Sequence, residues 1–234
     1  MTESENVSTH FVPLPLPQEE QARADLYALV ACLLLAPPDN ALLHDLACAL
    51  PLGQEEGAGQ DQPLNLAWEA LSAAAETALG SGVVHDEYDA LFVGVGTPQI
   101  NPYASLYIAG FMMEKPLMIL RDDLAGLGLA RAAGTGELED HLGALCETMR
   151  LIITGEAGRG RQPLDRQKAF FKRHIVSWYE RCLNDIRKSK DACFYRALAD
   201  FIEAFFSIEQ QAFDIESRGD GTETTRRQAL YERL

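Results

Sequence analysis

The chain has 234 residues, and its 35 acidic residues outnumber its 20 Lys and Arg residues, so its formal net charge is −15. A strongly acidic surface disfavours nucleic acid and anionic lipid, since both are bound through Lys and Arg, and it favours a basic partner. The length suits one large domain with a substantial buried core. The five cysteines are odd in number and include no C-x-x-C pair. We therefore expect neither a metal site nor a disulfide framework.

The start of the chain gives an expectation about its location. It reads Met-Thr-Glu-Ser-Glu and lacks the basic and then apolar pattern of a secretory signal. The longest apolar run, 26–36, is too short to cross a bilayer. We expect a cytoplasmic protein that does not insert into a membrane.

Helical spacing of apolar residues recurs along the chain. Residues 1–17, with three prolines at alternate positions, are predicted to form an extended or disordered arm. Helices are predicted at 18–36, 39–49, 64–79, 85–92, 103–126, 137–154, 163–187 and 191–214. The glycine-rich segments 51–63 and 155–161 are predicted to be loops, and 216–234 a polar tail.

The pattern also predicts how some of these helices are arranged. Pro116 interrupts 103–126, which forms either one long helix or a broken pair. The segment 191–214 has a wide apolar face, which predicts the central and most buried helix. No stretch alternates with the period of a strand. The predicted fold class is all-α, a single-domain helical bundle of about nine or ten helices over residues 18–215.

A polar cluster is predicted at the start of the 137–154 helix. Glu137 lies four residues before His141, so the two side chains can pair on one helix face. Asp140 would belong to the first turn, where the helix dipole stabilises a carboxylate. We expect this cluster to be exposed, opposite the apolar stripe. Capping of the helix explains the same residues equally well.

Aromatic residues flank a loop in the middle of the chain. Tyr88, Leu91 and Phe92 share one helical face, and a Gly- and Pro-rich loop separates them from Tyr103 and Tyr107. If a helix begins near residue 102, the last two rings lie on one face. Such aromatic groups either belong to the core or line a groove for a peptide.

The loop also contains Gly94-Val-Gly96, which resembles half of a dinucleotide-binding motif. It lacks the preceding strand and the third glycine of that motif, so we do not expect a nucleotide to bind there.

An ordered set of motifs resembles a known family. The set is Tyr88-x-x-Leu91-Phe92, Pro102-x-x-Ser105-x-Tyr107, Glu137-x-x-Asp140-His141 and Phe170-x-x-x-His174-x-x-x-Trp178. It is similar to the TorD/DmsD/NarJ family of redox-enzyme maturation chaperones, and the resemblance covers roughly 20–215. The family's third motif usually has a proline between Glu and Asp-His, where this chain has Leu138 and Glu139. The helix is therefore expected to start earlier here.

The resemblance implies an all-α fold and a chaperone function without catalysis. Members bind the twin-arginine leader and the apoprotein of a DMSO-reductase-type molybdoenzyme, assist cofactor insertion and prevent premature export. With Tyr103 and Glu137 added from the patterns above, the predicted peptide-binding residues are Tyr88, Leu91, Phe92, Pro102, Tyr103, Ser105, Tyr107, Glu137, Asp140 and His141.

Further expectations concern the groove, the partners and the alternatives. The groove is predicted between the 88–92 helix, the 97–107 loop and the start of the 137 helix. The partners are the leader and the catalytic subunit of a molybdoenzyme, with a homodimer possible, and no cofactor is expected. One alternative is a small enzyme or nucleotide-binding regulator that uses Glu137, Asp140 and His141. Another is a helical adaptor in a larger complex.

Overall fold

The computed structural model describes residues 15–52, 63–94, 96–131, 136–155 and 160–216. Within these ranges the chain forms ten α-helices, one π-helical turn at Asp89–Val93 and no strand. The helices are α1 Gln18–Leu35, α2 Asn40–Ala47, α3 Pro63–Ala78, α4 Val83–Tyr88, α5 Ala104–Ala109, α6 Lys115–Gly126, α7 Leu142–Thr154, α8 Leu164–His174, α9 Tyr179–Lys188 and α10 Phe194–Glu216. The all-α prediction is therefore confirmed.

Residues outside the described ranges include most of the predicted arm, the predicted tail beyond Glu216 and most of both predicted glycine-rich loops. The assignment of these segments stays a prediction.

Local residues explain several helix boundaries. Pro37-Pro38 follow α1 and cannot continue its hydrogen-bond ladder. The Asp39 carboxylate accepts a hydrogen bond from the Leu42 backbone N–H at 2.8 Å and so caps α2. Pro116 lies in the first turn of α6, where a missing N–H costs nothing. The predicted 103–126 helix is therefore the broken pair α5 and α6.

Two predicted helix boundaries are wrong. The segment 163–187 is interrupted at 175–178 and divides into α8 and α9. The helix predicted from Glu137 begins at Leu142. Glu137 therefore lies before α7, so the predicted pairing of Glu137 with His141 along one helix face does not form.

The core is built around two helix contacts. α1 packs along α7, and α10 packs against α3 and α9. The apolar face of α10 is buried, as predicted, through Leu198, Phe201, Ile202, Phe205, Phe206 and Phe213. Its aromatic rings make edge-on and tilted contacts with rings of α1, α3, α8 and α9.

A buried ion pair joins α1 to α10. Arg23 donates from Nε and Nη2 to the two Glu209 carboxylate oxygens, both at 2.8 Å, and both side chains are fully buried. Tyr27 donates to the same carboxylate at 2.9 Å, and Arg23 also donates to Gln167 of α8 at 3.1 Å. These hydrogen bonds compensate for the lost hydration of the two charges.

The start of α10 is capped by a residue far away in sequence. The buried Glu87 carboxylate of α4 accepts hydrogen bonds from the backbone N–H groups of Cys193, Phe194 and Tyr195 at 2.8–3.1 Å. A carboxylate at this end of a helix satisfies free donors and interacts favourably with the helix dipole. Glu87 thus fixes α4, and with it the following π-helical turn, against the core helix.

Candidate functional site

Two of the predicted motifs meet in a short antiparallel bridge between Tyr103 and His141. The Ala104 N–H donates to the Asp140 carbonyl at 2.9 Å, and the Leu142 N–H donates to the Pro102 carbonyl at 2.8 Å. These bonds place the start of α5 beside the start of α7. The structure therefore brings together Pro102, Tyr103, Ser105, Glu137, Asp140 and His141.

Asp140 is fully buried and caps α5, a helix other than its own. Its Oδ2 accepts a hydrogen bond from the Ser105 backbone N–H at 2.8 Å. Its Oδ1 and the Ser105 hydroxyl are buried without a hydrogen-bond partner among the described residues. The predicted exposed position in the first turn of the following helix is wrong. Asp140 instead offers one unused acceptor in the interior.

His141 is the cap of α7. Its Nδ1 accepts a hydrogen bond from the Gly143 backbone N–H at 3.1 Å, and the side chain is buried, so the predicted exposure is also wrong for this residue. Burial lowers the pKa of His141 to about 4, despite the opposing charges of Glu137 and Asp140. The imidazole is therefore neutral at pH 7. Protonation of Nδ1 would remove the cap.

Glu137 and Tyr103 complete this cluster. The Tyr103 hydroxyl donates to the Glu137 carboxylate. The Tyr103 ring lies edge-on to His141, with centroids 5.0 Å apart. Burial, and then the hydrogen bond with Glu137, raise the pKa of the Tyr103 hydroxyl. The hydroxyl therefore remains a donor at physiological pH.

The remaining aromatic residues divide between the core and the surface. Tyr88 is buried, and its ring lies 5.1 Å from Phe92 and 5.8 Å from Tyr195. Leu91 is fully buried, and its carbonyl accepts the Ile100 N–H at 2.9 Å, which holds the 97–107 loop against the π-helical turn. Phe92 is only half-buried.

Tyr107 faces a different set of neighbours from Tyr103. Its ring stacks on Trp178 at 5.5 Å, and its hydroxyl donates to Asp185 of α9 at 3.1 Å. Tyr103 instead contacts Glu137 and His141. The expectation that the two tyrosines share one face is therefore wrong, because Tyr103 precedes α5 and Tyr107 lies within it.

A cavity of about 250 Å³ opens between α5, α6, α7 and α8. We call it the Asp140 cavity. Its wall is mainly apolar, and its polar lining comes from Asp140, Arg173, His174 and Ser177. Its apolar lining consists of Ala104, Ile108, Pro116, Ile119, Leu120 and Leu145.

The basic residues of this cavity are held by one carboxylate. Asp123 of α6 accepts from His174 Nε2 at 2.7 Å and pairs with Arg173 at 3.0 Å. Burial lowers the pKa of His174, although the hydrogen bond with Asp123 opposes this shift. The charge of Arg173 is compensated by Asp123, and the buried Asp140 remains the acidic group of the cavity.

An exposed apolar surface adjoins the cavity at the turn between α5 and α6. We call it the methionine patch, and its members are Ile108, Phe111, Met112, Met113 and Met118. Phe111 and Met113 are 71% and 69% exposed, and Met113 has a positive φ of 60° that is uncommon for such a side chain. Ile108 belongs both to the patch and to the cavity wall, so the two surfaces are continuous.

Comparison with known proteins identifies the family. The family described as nitrate reductase delta subunit matches residues 58–184, more than half of the chain. The chain belongs to this family. No curated protein matches it. The nitrate reductase delta subunit family consists of molybdoenzyme maturation chaperones, not of enzymes.

The delta-subunit match covers every predicted site residue and the whole Asp140 cavity, whereas α1 and α10 lie outside it. Leu138 stands where the motif of such chaperones usually has proline. Its carbonyl accepts the His141 N–H at 3.1 Å, so the chain still turns before α7. The expectation that the helix starts earlier without proline is therefore wrong.

Sequence reasoning missed the cavity and the methionine patch of this delta-subunit family member. The cavity could not be read from the sequence, because four helices must pack before it exists. The patch had a local signal, since Phe111-Met112-Met113 is an apolar run between two helices.

Among the described residues, no group of three His, Cys, Asp or Glu side chains could hold a metal ion. None of the described helices is long and apolar enough to span a membrane.

Proposed function

We propose that this protein is a cytoplasmic chaperone for a DMSO-reductase-type molybdoenzyme. It binds the twin-arginine leader and the apoprotein, assists cofactor insertion and prevents premature export. The family membership supports the general role. The observation that carries the leader assignment is the Asp140 cavity, where a buried carboxylate with an unused oxygen lies among apolar residues beside the methionine patch.

The unused oxygen suits a guanidinium group. Asp140 Oδ2 is already engaged by the Ser105 N–H, whereas Oδ1 has no hydrogen-bond partner and is covered by the surrounding atoms, so a leader arginine can pair with it only after the cavity wall moves aside. Such a bond is stronger in an apolar cavity than in water. A leader arginine would therefore relieve the unsatisfied acceptor and balance the buried charge.

The methionine patch suits the apolar stretch that follows the arginines in a leader. Methionine side chains are flexible and polarisable, so they adapt to different apolar sequences. Each square ångström of apolar surface removed from water contributes about 25 cal/mol, so this contact supplies most of the affinity. The net charge of −15 steers a basic leader toward the protein, and affinity falls but does not vanish as salt rises.

The predicted residues then have different roles. Asp140 contacts the leader, and Tyr107 and Phe92, both half-buried, keep part of their surface available for binding. The buried Tyr88 and Leu91 position the loop that carries Pro102. Glu137 and His141 hold the start of α7 in place and thereby fix Asp140.

Calorimetric titration with a synthetic twin-arginine leader tests the proposal. The Asp140→Asn side chain carries one oxygen and one NH₂ group. Either its oxygen still accepts the Ser105 N–H and the NH₂ group replaces the unused oxygen, or the two groups exchange positions. We expect this variant, and Phe111→Ser in the patch, each to weaken binding by about 1–3 kcal/mol. Leu50→Ser is the matched control, since Leu50 is 76% exposed and lies outside both surfaces.

The wild-type protein should bind the leader, and the control should bind it equally well. Absence of binding by the wild type would refute the leader assignment. Binding that is unchanged in both Asp140→Asn and Phe111→Ser would place the leader on another surface.

A further inference from the structure

A groove of about 840 Å³ lies between α3 and α10 and shares no lining residue with the Asp140 cavity. We call it the α3/α10 groove. Its lining residues fall between Pro63 and Ala70 on α3 and between Asp200 and Gln211 on α10, in both cases at helical spacing. The groove therefore runs along the two helices, over about three turns of α10 or roughly 16 Å.

The wall of the α3/α10 groove combines apolar side chains with small ones. Leu64 and Ala67 are buried and form its floor, whereas Leu66 is 53% exposed. Ala70 and Ala204 each present only a methyl group, which allows another helix to approach closely. A long apolar groove with small residues in its wall is suited to a third helix.

The part of the groove formed by Asp200 and Glu203 is acidic. Both side chains are about half exposed, and both pair with the Arg187 guanidinium, at 2.7 and 2.6 Å. Two carboxylates and one guanidinium leave a net charge of −1. Arg196, one turn before Asp200, donates to the Ser189 carbonyl and does not line the groove. α3 adds two carboxylates and no Lys or Arg. This surface therefore complements a cationic side chain.

We propose that the α3/α10 groove docks an amphipathic helix of a partner protein, which places an apolar stripe in the groove and a Lys or Arg beside Asp200 and Glu203. The inference goes beyond the function proposed above, because the groove is separate from the leader site. An extended peptide suits it less, since such peptides bind largely through backbone hydrogen bonds to a strand edge. A helix satisfies its own backbone groups and needs only apolar contact and charge pairing.

Binding of a synthetic helical peptide to the full chain, followed by fluorescence anisotropy, tests this inference. The probe has about 15 residues, enough for four turns, with Leu and Ala along one face and Lys on the other. A second probe carries Glu in place of Lys. We expect the Lys probe to bind and the Glu probe to bind at least about tenfold more weakly. Glu203→Gln should weaken binding of the Lys probe about twofold to fivefold.

Two variants locate the binding surface. Ala70→Lys adds bulk and positive charge inside the groove, and Leu66→Ser removes apolar surface without adding bulk. Each should weaken binding of the Lys probe about tenfold. Ala73→Lys is the matched control, because Ala73 is exposed on the same helix, lies outside the groove and receives the same charge. The control should bind the probe nearly as well as the wild type, and far-UV circular dichroism should show all variants folded.

Four outcomes would overturn the inference. The wild type does not bind the Lys probe, or Ala70→Lys and Ala73→Lys weaken its binding equally, which would be an effect of charge alone. Phe111→Ser abolishes probe binding while Ala70→Lys does not, which would place the peptide on the methionine patch. Light scattering shows a dimer that Ala70→Lys dissociates and Ala73→Lys does not, which would make a second copy the occupant.

Leader titration separates this inference from the proposed function. Ala70→Lys should bind the twin-arginine leader as well as the wild type does, because Ala70 lies outside the Asp140 cavity and the methionine patch. If no leader binds while the Lys probe behaves as expected, the proposed function fails and the docking groove stands.

Discussion

His141 predicts a specific dependence of stability on pH. Burial lowers the pKa of His141 from 6.5 to about 4 in the folded chain. Between these values the unfolded chain binds a proton that the folded chain does not, so acidification favours unfolding. The contribution of neutral His141 to the free energy of unfolding is complete above about pH 6.5. It declines as the pH falls and is lost near pH 4. One pKa unit corresponds to about 1.4 kcal/mol, so the whole interval amounts to about 3 kcal/mol.

The substitution His141→Asn isolates this contribution. Asparagine can cap α7 through its side-chain oxygen but does not titrate. The free energy of unfolding of both proteins is measured by urea denaturation, followed by far-UV circular dichroism, from pH 4 to pH 8. The advantage of the wild type over the variant should shrink by about 3 kcal/mol between pH 7 and pH 4. His174, whose pKa burial also lowers, is present in both proteins and cancels in the difference.

The control is Leu50→Ser, because the Leu50 side chain is 76% exposed and neither leucine nor serine titrates in this range. Its stability curve should run parallel to that of the wild type. If the His141→Asn curve is also parallel to the wild type, the imidazole is not held neutral by burial and the reasoning is wrong.

Three further predictions concern stability and can be measured by urea denaturation at pH 7. Arg23→Met or Glu209→Gln should each lower the free energy of unfolding by about 3–5 kcal/mol, since either change leaves a buried partner without its counterpart. If the loss of stability is smaller than that caused by breaking an exposed ion pair, the burial of these charges is contradicted. Glu87→Gln should cost about 2 kcal/mol because one oxygen must replace two in capping α10. Glu69→Gln, in the middle of α3 and exposed, is its control. Gly143→Ala should destabilise the protein by about 1–3 kcal/mol, since the alanine Cβ would lie 2.8 Å from Leu35 Cγ. This clash exceeds the gain of about 1 kcal/mol in helix propensity. A more stable variant would show that Leu35 moves freely.

The fold class was predictable because most helices carry their own signals. Apolar spacing marked α1, α3 and α10, Pro37-Pro38 marked the end of α1, and Pro116 marked the break between α5 and α6. The break between α8 and α9 was not predictable in this way. The stripe of Phe171, Ile175, Trp178 and Cys182 stays in phase across it, so periodicity cannot distinguish a four-residue turn from a continuous helix.

The sequence predicted a list of site residues but not how they are arranged. Six of them lie together, namely Pro102, Tyr103, Ser105, Glu137, Asp140 and His141, but the start of α7 depends on a bridge to Tyr103, about 40 residues away, which no local pattern reveals. Asp140 was expected to stabilise its own helix. It is buried because α5 presents a free N–H to it, and burial of a carboxylate depends on such a distant donor.

The buried ion pair between α1 and α10 also has a consequence for synthesis of the chain. Arg23 and Glu209 are 186 residues apart, so the guanidinium is made long before its carboxylate. At about 5–20 residues per second, the ribosome leaves this cation without its partner for roughly 10–40 s. Over that period α1 cannot settle in its final position, because an unpaired arginine resists burial. We therefore expect the nascent chain to remain protease-sensitive until α10 has been completed, and to become resistant in a single late step.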